Sequence, residues 1–125
     1  MSGKVTVHAI QHVQLAMPAG QEDDARAFYG EVLGLTEVPK PPGLAKRGGA
    51  WFERGDVRVH LGVEKDFRPA RKAHVGFLVD DITTIIAECR RRGLEIVDDE
   101  PLDGFERIYI YDPFGNRLEL MQPTG

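Results

Sequence analysis

The sequence predicts an α+β domain built from two βαβββ modules, and two internal repeats are the main evidence. Residues 34–38 (GLTEV) recur as residues 93–97 (GLEIV), and residues 58–61 (RVHL) recur as residues 117–120 (RLEL). Both repeats have the same offset, which is about half of the 125-residue chain. A repeat of this length indicates two small units that share one core, because neither unit could bury its apolar face alone.

Each half shows the same order of elements when hydrophobic periodicity and turn residues are followed along the chain. Module 1, residues 8–64, is predicted to contain a strand (9–17), a helix from Glu22 to Gly34 and three strands (35–38, 50–54, 57–63). The stretch 39–49 is rich in proline and glycine and is expected to lack regular structure. Residues 64–72 form a charged linker.

Module 2, residues 73–123, repeats this order after the linker. We expect a strand (74–79), a helix from Asp80-Asp81 to Gly93 and strands at 94–98, 106–111 and 117–122. Residues 112–116 (DPFGN) have the composition of a hairpin turn. The two modules together make residues 1–125 a single domain.

Composition excludes several classes of function. The net charge is −4, with 29% charged and 42% hydrophobic residues, which is typical of a soluble protein with no bias toward nucleic acid or anionic membrane. No apolar run approaches the roughly 18 residues of a membrane span, and the N-terminus lacks a signal-peptide core, so we expect a cytoplasmic protein. Cys89 is the single cysteine and is interpreted as a structural thiol.

Four candidate metal ligands lie at matching places in the two halves. His12 precedes a valine in the first strand as His74 does in the fifth, and His60 and Glu119 are the matching third residues of the RVHL and RLEL repeats. Side chains alternate between the faces of a strand, so His60 and Glu119 point away from their apolar neighbours. Three imidazoles and a carboxylate suit Zn, Ni, Co, Fe(II) or Mn, and they are poor ligands for Ca or Mg.

These features resemble the vicinal oxygen chelate superfamily, which contains glyoxalase I, fosfomycin-resistance enzymes, extradiol dioxygenases and metal-free bleomycin-binding proteins. The likeness rests on the paired modules, on residues 28–35 (FYGEVLGL), and on the DPFGN turn followed by residues 118–120 (LEL). It covers residues 8 to 122. It implies a pair of curved mixed sheets around a cavity and a divalent metal held by His12, His60, His74 and Glu119.

The resemblance also implies a function and its alternatives. The expected activity is that of a glyoxalase-like lyase or isomerase whose small substrate chelates the metal through vicinal oxygens. Glyoxalase I usually has Glu where this chain has His60, so Glu119 would serve as both ligand and base, with His60 as the second catalytic candidate. His12, His74 and Glu119 alone would suit an Fe(II) extradiol-type dioxygenase. A resistance-type binding protein that sequesters a drug is the alternative without chemistry.

Further residues are predicted to line the cavity or to lie in solvent. The candidate wall residues are Trp51, Glu53, Arg58, Arg107, Tyr109 and Tyr111. Arg58 and Arg117 occupy matched positions that could present positive charge to an anionic substrate, or lie in solvent because both follow turns. His8 is expected to be solvated. The resemblance also implies a homodimer, in some members with swapped modules, so that His12 and His60 of one chain meet His74 and Glu119 of the other.

Overall fold

Each half of the chain forms one four-stranded mixed sheet, as the repeated sequence predicts. The computed structural model describes residues 5–125. The first sheet contains β1 (Val13–Met17), β2 (Thr36–Val38), β3 (Ala50–Arg54) and β4 (Val57–Val63), and the second contains β5 (Val75–Leu78), β6 (Ile96–Val97), β7 (Phe105–Tyr111) and β8 (Arg117–Pro123). The strand orders are β1-β4-β3-β2 and β5-β8-β7-β6. In each sheet the outer first strand runs parallel to the last, and the other pairs are antiparallel.

Helices cover one face of each sheet and end where the sequence predicts. In module 1, α1 (Glu22–Ala25) continues directly into a π-helix (Arg26–Val32), and in module 2 the helix is α3 (Ile82–Arg91). Gly34 and Gly93 follow these helices with φ of 74° and 71°, a left-handed conformation that glycine adopts without steric cost. Within residues 5–125, no helix has the length and apolar character needed to cross a bilayer.

Two segments differ from the prediction. The first strand was expected from residue 9 but begins at Val13, and the side chains of Val5, Val7 and Ile10 are exposed. The ladder between β1 and β4 begins at the Val13–Val59 pair, so residues 5–12 pair with no described strand of this chain. A short helix, α2 (Pro42–Ala45), occupies the stretch expected to be irregular. Pro42 is compatible with a first helical turn, where its missing N–H would have no partner.

Strand alternation separates the core from the opposite, concave faces of the sheets. Val59 and Leu61 of β4 and Leu118 and Leu120 of β8 are fully buried beneath the helices. The residues between them, including His60 and Glu119, therefore face the concave side. The sequence prediction for this alternation is confirmed.

A buried hydrogen-bond network joins the modules. The Tyr29 hydroxyl of the π-helix donates to Asp112 Oδ2 at 2.7 Å, and Asn116 Nδ2 donates to the Ala16 carbonyl at 2.8 Å and to Asp112 Oδ2 at 2.9 Å. Burial and the charge of Asp112 raise the pKa of Tyr29 well above its ordinary value, so the phenol stays protonated and donates. The linker joins this network where Ala70 N donates to Asn116 Oδ1 at 2.9 Å.

This network makes Tyr29→Phe a test of how the modules are held together. The substitution removes one donor from the buried Asp112 carboxylate and should lower the free energy of unfolding by about 1–2 kcal/mol. Urea denaturation measures the change. The matched control is Tyr111→Phe, whose hydroxyl accepts from Arg117 within the same sheet. Equal losses in the two variants would contradict a special role for the contact between Tyr29 and Asp112.

Candidate metal centre

In the first sheet, His60 lies between two aromatic rings. Its imidazole stacks on His12, with ring centroids 4.2 Å apart, and on Trp51, with centroids 3.9 Å apart and planes within 4°. Trp51 is the residue opposite His60 on β3. The side chain of His60 is thereby buried to 7% exposure although it faces the concave side. His12 lies just before β1 and is exposed, with Nδ1 2.8 Å from Gln11 Oε1.

This environment favours neutral His60. Burial, followed by repulsion from His12, lowers the pKa of His60 from its ordinary value of 6.5. Because the folded state prefers the uncharged imidazole, the stability that it contributes is present above pH 6.5 and is lost as the pH falls below that value. The neutral ring is the form that binds a metal or accepts a proton.

In the second sheet, His74 and Glu119 form a direct pair. His74 Nε2 lies 3.0 Å from Glu119 Oε1, and His74 Nδ1 lies 2.9 Å from the Lys72 carbonyl oxygen. Glu119 is buried to 8% exposure, whereas a quarter of the His74 side chain remains accessible. The Lys72 carbonyl fixes the His74 ring, because it accepts a hydrogen bond only from a protonated Nδ1.

Arg107 holds the second oxygen of the Glu119 carboxylate. Its Nη1 donates to Glu119 Oε2 at 3.2 Å and to the Tyr109 hydroxyl at 3.0 Å. Burial opposes the charge of Arg107, but these hydrogen bonds outweigh it and raise the pKa of the guanidinium. Arg107 thus gives Glu119 Oε2 a defined donor and leaves Oε1 beside His74 Nε2, so the carboxylate keeps a fixed orientation on the concave face.

The four predicted ligands therefore form two pairs, one on each sheet. Within the described part of the chain, no three His, Cys, Asp or Glu side chains lie close enough together to hold one metal ion. A cleft of about 370 Å³ separates β1 from β5 near His74, with Gln14 and Asn116 on its walls. His8 lies in the exposed segment before β1, as expected of a solvated residue.

The chemistry of the second pair fits a cation. When Nδ1 of a neutral His74 donates to Lys72, Nε2 carries a lone pair that faces the lone pairs of Glu119 Oε1. Two acceptors at 3.0 Å require a proton or a metal ion between them. Metal-bound histidines commonly donate their other ring N–H to a backbone carbonyl, as His74 does here. The stacked His12 and neutral His60 could also bind a metal, and Glu53 on the same face is near enough to act on the charge of His60.

The predicted wall residues follow the same division between sheets. Glu53, Arg58 and Trp51 lie on the His60 face of the first sheet, because Glu53 pairs with Arg58 across the β3–β4 ladder. Tyr109 pairs directly with Glu119. Its ring meets the His74 ring edge-on, with centroids 5.3 Å apart. The Lys72 carbonyl was not predicted, because backbone acceptors leave no signal in the sequence.

Comparison with known proteins identifies the family. The model of the Glyoxalase/Bleomycin resistance protein/Dioxygenase superfamily matches residues 9–120. The chain therefore belongs to this superfamily, which confirms the resemblance to the vicinal oxygen chelate proteins. The comparison with curated proteins finds no match.

Solved structures show the same fold. A glyoxalase family protein from Bacillus anthracis is 45% identical, with a TM-score of 0.90 over 97% of this chain and 99% of its own. TnmS3, an antibiotic binding protein from Streptomyces sp. CB03234, is 20% identical, with a TM-score of 0.72 over 97% of this chain and 100% of its own. The fosfomycin resistance protein FosX from Listeria monocytogenes is 15% identical, with a TM-score of 0.74 over 96% and 94% of the two chains.

The aromatic stack predicts a measurable change at His60. Trp51→Ala removes one of the two rings that bury the imidazole, and the pKa of His60 should rise toward 6.5. Titration of the histidine ring protons by NMR measures this pKa. Trp51→Phe is the control, because a phenyl ring can still cover His60 and should preserve most of the shift. A His60 pKa that is the same in the alanine variant and the parent would show that Trp51 does not cause the shift.

Proposed function

We propose that this protein is a glyoxalase-like, metal-dependent lyase or isomerase whose site forms between two copies of the chain. His12 and His60 of one copy and His74 and Glu119 of the other would hold a divalent transition metal: Zn, Ni, Co, Fe or Mn. The observation that supports the proposal is the 3.0 Å contact of His74 Nε2 with Glu119 Oε1, an imidazole nitrogen beside a carboxylate oxygen, which are two atoms that commonly bind one transition metal. The metal, when bound, would act as a Lewis acid on vicinal oxygens of a small substrate.

Two features of the described chain support a second copy: its ligand pairs are separated, and two of its strand edges are unpaired. The two ligand pairs are not close to each other within residues 5–125, and a pair alone would leave a transition metal short of protein ligands. β1 and β5 are both edge strands, which are free to pair with another chain. Val5, Val7 and Ile10 lie fully or largely exposed just before β1. Exposed aliphatic side chains beside an unpaired edge favour a homodimer interface.

In this proposal, the residues of the second sheet have different roles in catalysis. Glu119 is the carboxylate that can take a proton from carbon next to a carbonyl, and Arg107 holds its second oxygen in place. His74 is oriented by Lys72 and cannot turn away without losing that hydrogen bond. On the first sheet, the lowered pKa of His60 makes its neutral ring a second acceptor for the proton. Trp51 and Tyr109 would exclude water from the reacting atoms.

Metal content separates the enzyme from the competing binding protein. A drug-sequestering protein of this fold needs no metal, so purified protein that contains little metal and takes up no Zn, Ni, Mn or Fe would favour sequestration. Near-stoichiometric metal would favour the enzyme. Iron(II) retained together with oxygen consumption would point to a dioxygenase in place of a lyase or isomerase.

Single substitutions should show how much each of the four ligands contributes to metal affinity. His12→Ala, His74→Ala and Glu119→Ala should each weaken metal binding by about 10-fold to 100-fold or more, because each removes a direct donor. His60→Gln should have a smaller effect, because an amide oxygen or a water can take its place. Calorimetric titration with Zn measures these affinities. His8→Ala is the control and should bind like the parent. A Glu119→Ala variant with unchanged affinity would overturn the site.

Mixing two inactive chains should show whether the site lies between copies. One chain carries His12→Ala with His60→Ala, and the other carries His74→Ala with Glu119→Ala. Neither should bind metal alone. A mixed dimer would restore one complete set of ligands, so metal binding and activity should recover to about half of the parent level at most. Recovery is measured after the chains are unfolded and refolded together. A mixed dimer that forms but binds no metal would place the site within one chain.

A further inference from the structure

Two guanidinium groups and two phenol rings alternate on the concave face of the second sheet, and Arg71 packs against them from the linker. The Arg71 guanidinium carbon lies 4.2 Å from the centre of the Tyr111 ring, and that of Arg117 lies 4.8 Å from the centre of Tyr109. Arg107 lies 5.7 Å from Tyr109 on the same strand. We call these five residues the arginine–tyrosine cluster. Tyr111 pairs with Arg117 across the β7–β8 ladder, which places both on the face of Glu119.

The cluster carries positive charge that its own surroundings do not balance. Arg107 lies within 3.2 Å of Glu119 and 3.6 Å of Asp99, so its charge is compensated. Neither Arg71 nor Arg117 has a carboxylate within 4.0 Å among the described residues. Arg117 donates to the Tyr111 hydroxyl at 3.2 Å, and Arg71 donates to the Gly115 carbonyl at 3.3 Å. Three guanidinium charges therefore face two carboxylates, of which Asp99 also acts on Arg117, and the cluster keeps a net positive charge beside the candidate metal ligands.

The arginine–tyrosine cluster also contains two N–H groups without an acceptor within residues 5–125. The Nε atoms of Arg117 and Arg107 are buried and have no hydrogen-bond partner among the described residues. A buried N–H without an acceptor costs free energy, and native proteins rarely leave one unpaired. Arg117 is half-buried on its sheet, so it is not the freely solvated side chain that its position after a turn suggests. An oxyanion beside the accessible part of the Arg117 guanidinium would supply acceptors and neutralise charge together.

We infer that the arginine–tyrosine cluster binds the oxyanion head group of an anionic substrate, with Arg117 as the principal contact and the buried rings of Tyr109 and Tyr111 holding its guanidinium in place. Arg117 precedes Glu119 by two residues on the same face of β8, a separation of about 7 Å along a strand. An anion held there would place the next few atoms of a small molecule beside His74 and Glu119. This substrate class rests on the proposed function, which puts the chelating oxygens at that pair.

The test uses three ring compounds that differ in their head group. Benzoate, phenylphosphonate and the neutral benzamide are titrated calorimetrically into full-length protein that has been stripped of metal and dialysed free of chelator. Benzoate or phenylphosphonate should bind at low salt, and benzamide should bind at least about tenfold more weakly. Arg117→Met should weaken anion binding by about tenfold or more, and Arg117→Lys by less. Arg90→Met, at an exposed site on α3, is the matched control and should bind like the parent.

The outcomes separate this inference from the proposed function. The inference is wrong if folded parent protein binds neither anion at about 10 mM, if benzamide binds as well as benzoate, or if Arg117→Met and Arg90→Met lose equal affinity. Thermal unfolding checks that each variant is folded. The titrations with the three ring compounds contain no metal, so their result does not depend on the metal centre. If His74→Ala and Glu119→Ala left metal binding unchanged, the metal centre would be refuted and the anion site would not. Whichever of benzoate and phenylphosphonate binds more tightly identifies the preferred head group.

Discussion

The buried Asp112 carboxylate is the interaction on which the rest of the structure depends. Its two oxygens accept from Tyr29, from the backbone of Phe114 and from both the backbone and side-chain nitrogens of Asn116. Burial raises the pKa of Asp112, while the hydrogen bonds from Tyr29 and Asn116 oppose that rise. The carboxylate thus shapes the turn that begins β8 and ties that turn to the helix of the other module.

The orientation of the candidate site follows from this turn. β8 starts immediately after Asn116, so the turn sets which residues of the strand face the core. A shift of one residue would move Leu118 and Leu120 out of the core and bury Arg117 and Glu119 in it. The Arg117 backbone N–H also donates to the Ala70 carbonyl at 2.8 Å, which ties the linker before His74 to the start of β8. One hydrogen-bonded turn therefore positions both members of the second ligand pair.

The two modules share a fold and differ in the chemistry of their concave faces. At matched positions, the first sheet places a neutral imidazole between two rings, and the second places a carboxylate between His74 and Arg107. The first face holds a stack of rings beside Glu53 and Arg58, and the second holds ion pairs beside Tyr109 and Tyr111.

Much of the fold was readable from the sequence because the signals are local. Strand alternation and the glycines after the helices set the elements of both modules, and the repeat set their order. The π-helix at Arg26–Val32 and the late start of β1 could not be read in this way. β1 exists only where it pairs with β4, and Tyr29 of the π-helix is anchored to Asp112 in the other module.

For the site, the sequence by itself determined which residue types stand at the matched strand positions, and hence the candidate ligands His12, His60, His74 and Glu119. Only the tertiary structure decided that they lie as two separate pairs, that Lys72 orients His74, and that Arg117 is half-buried among tyrosines. The reason is physical. The face on which a strand residue lies follows from a period of two along the chain. Contacts between residues far apart in sequence set the distance between strands, the backbone acceptors and the burial of a side chain.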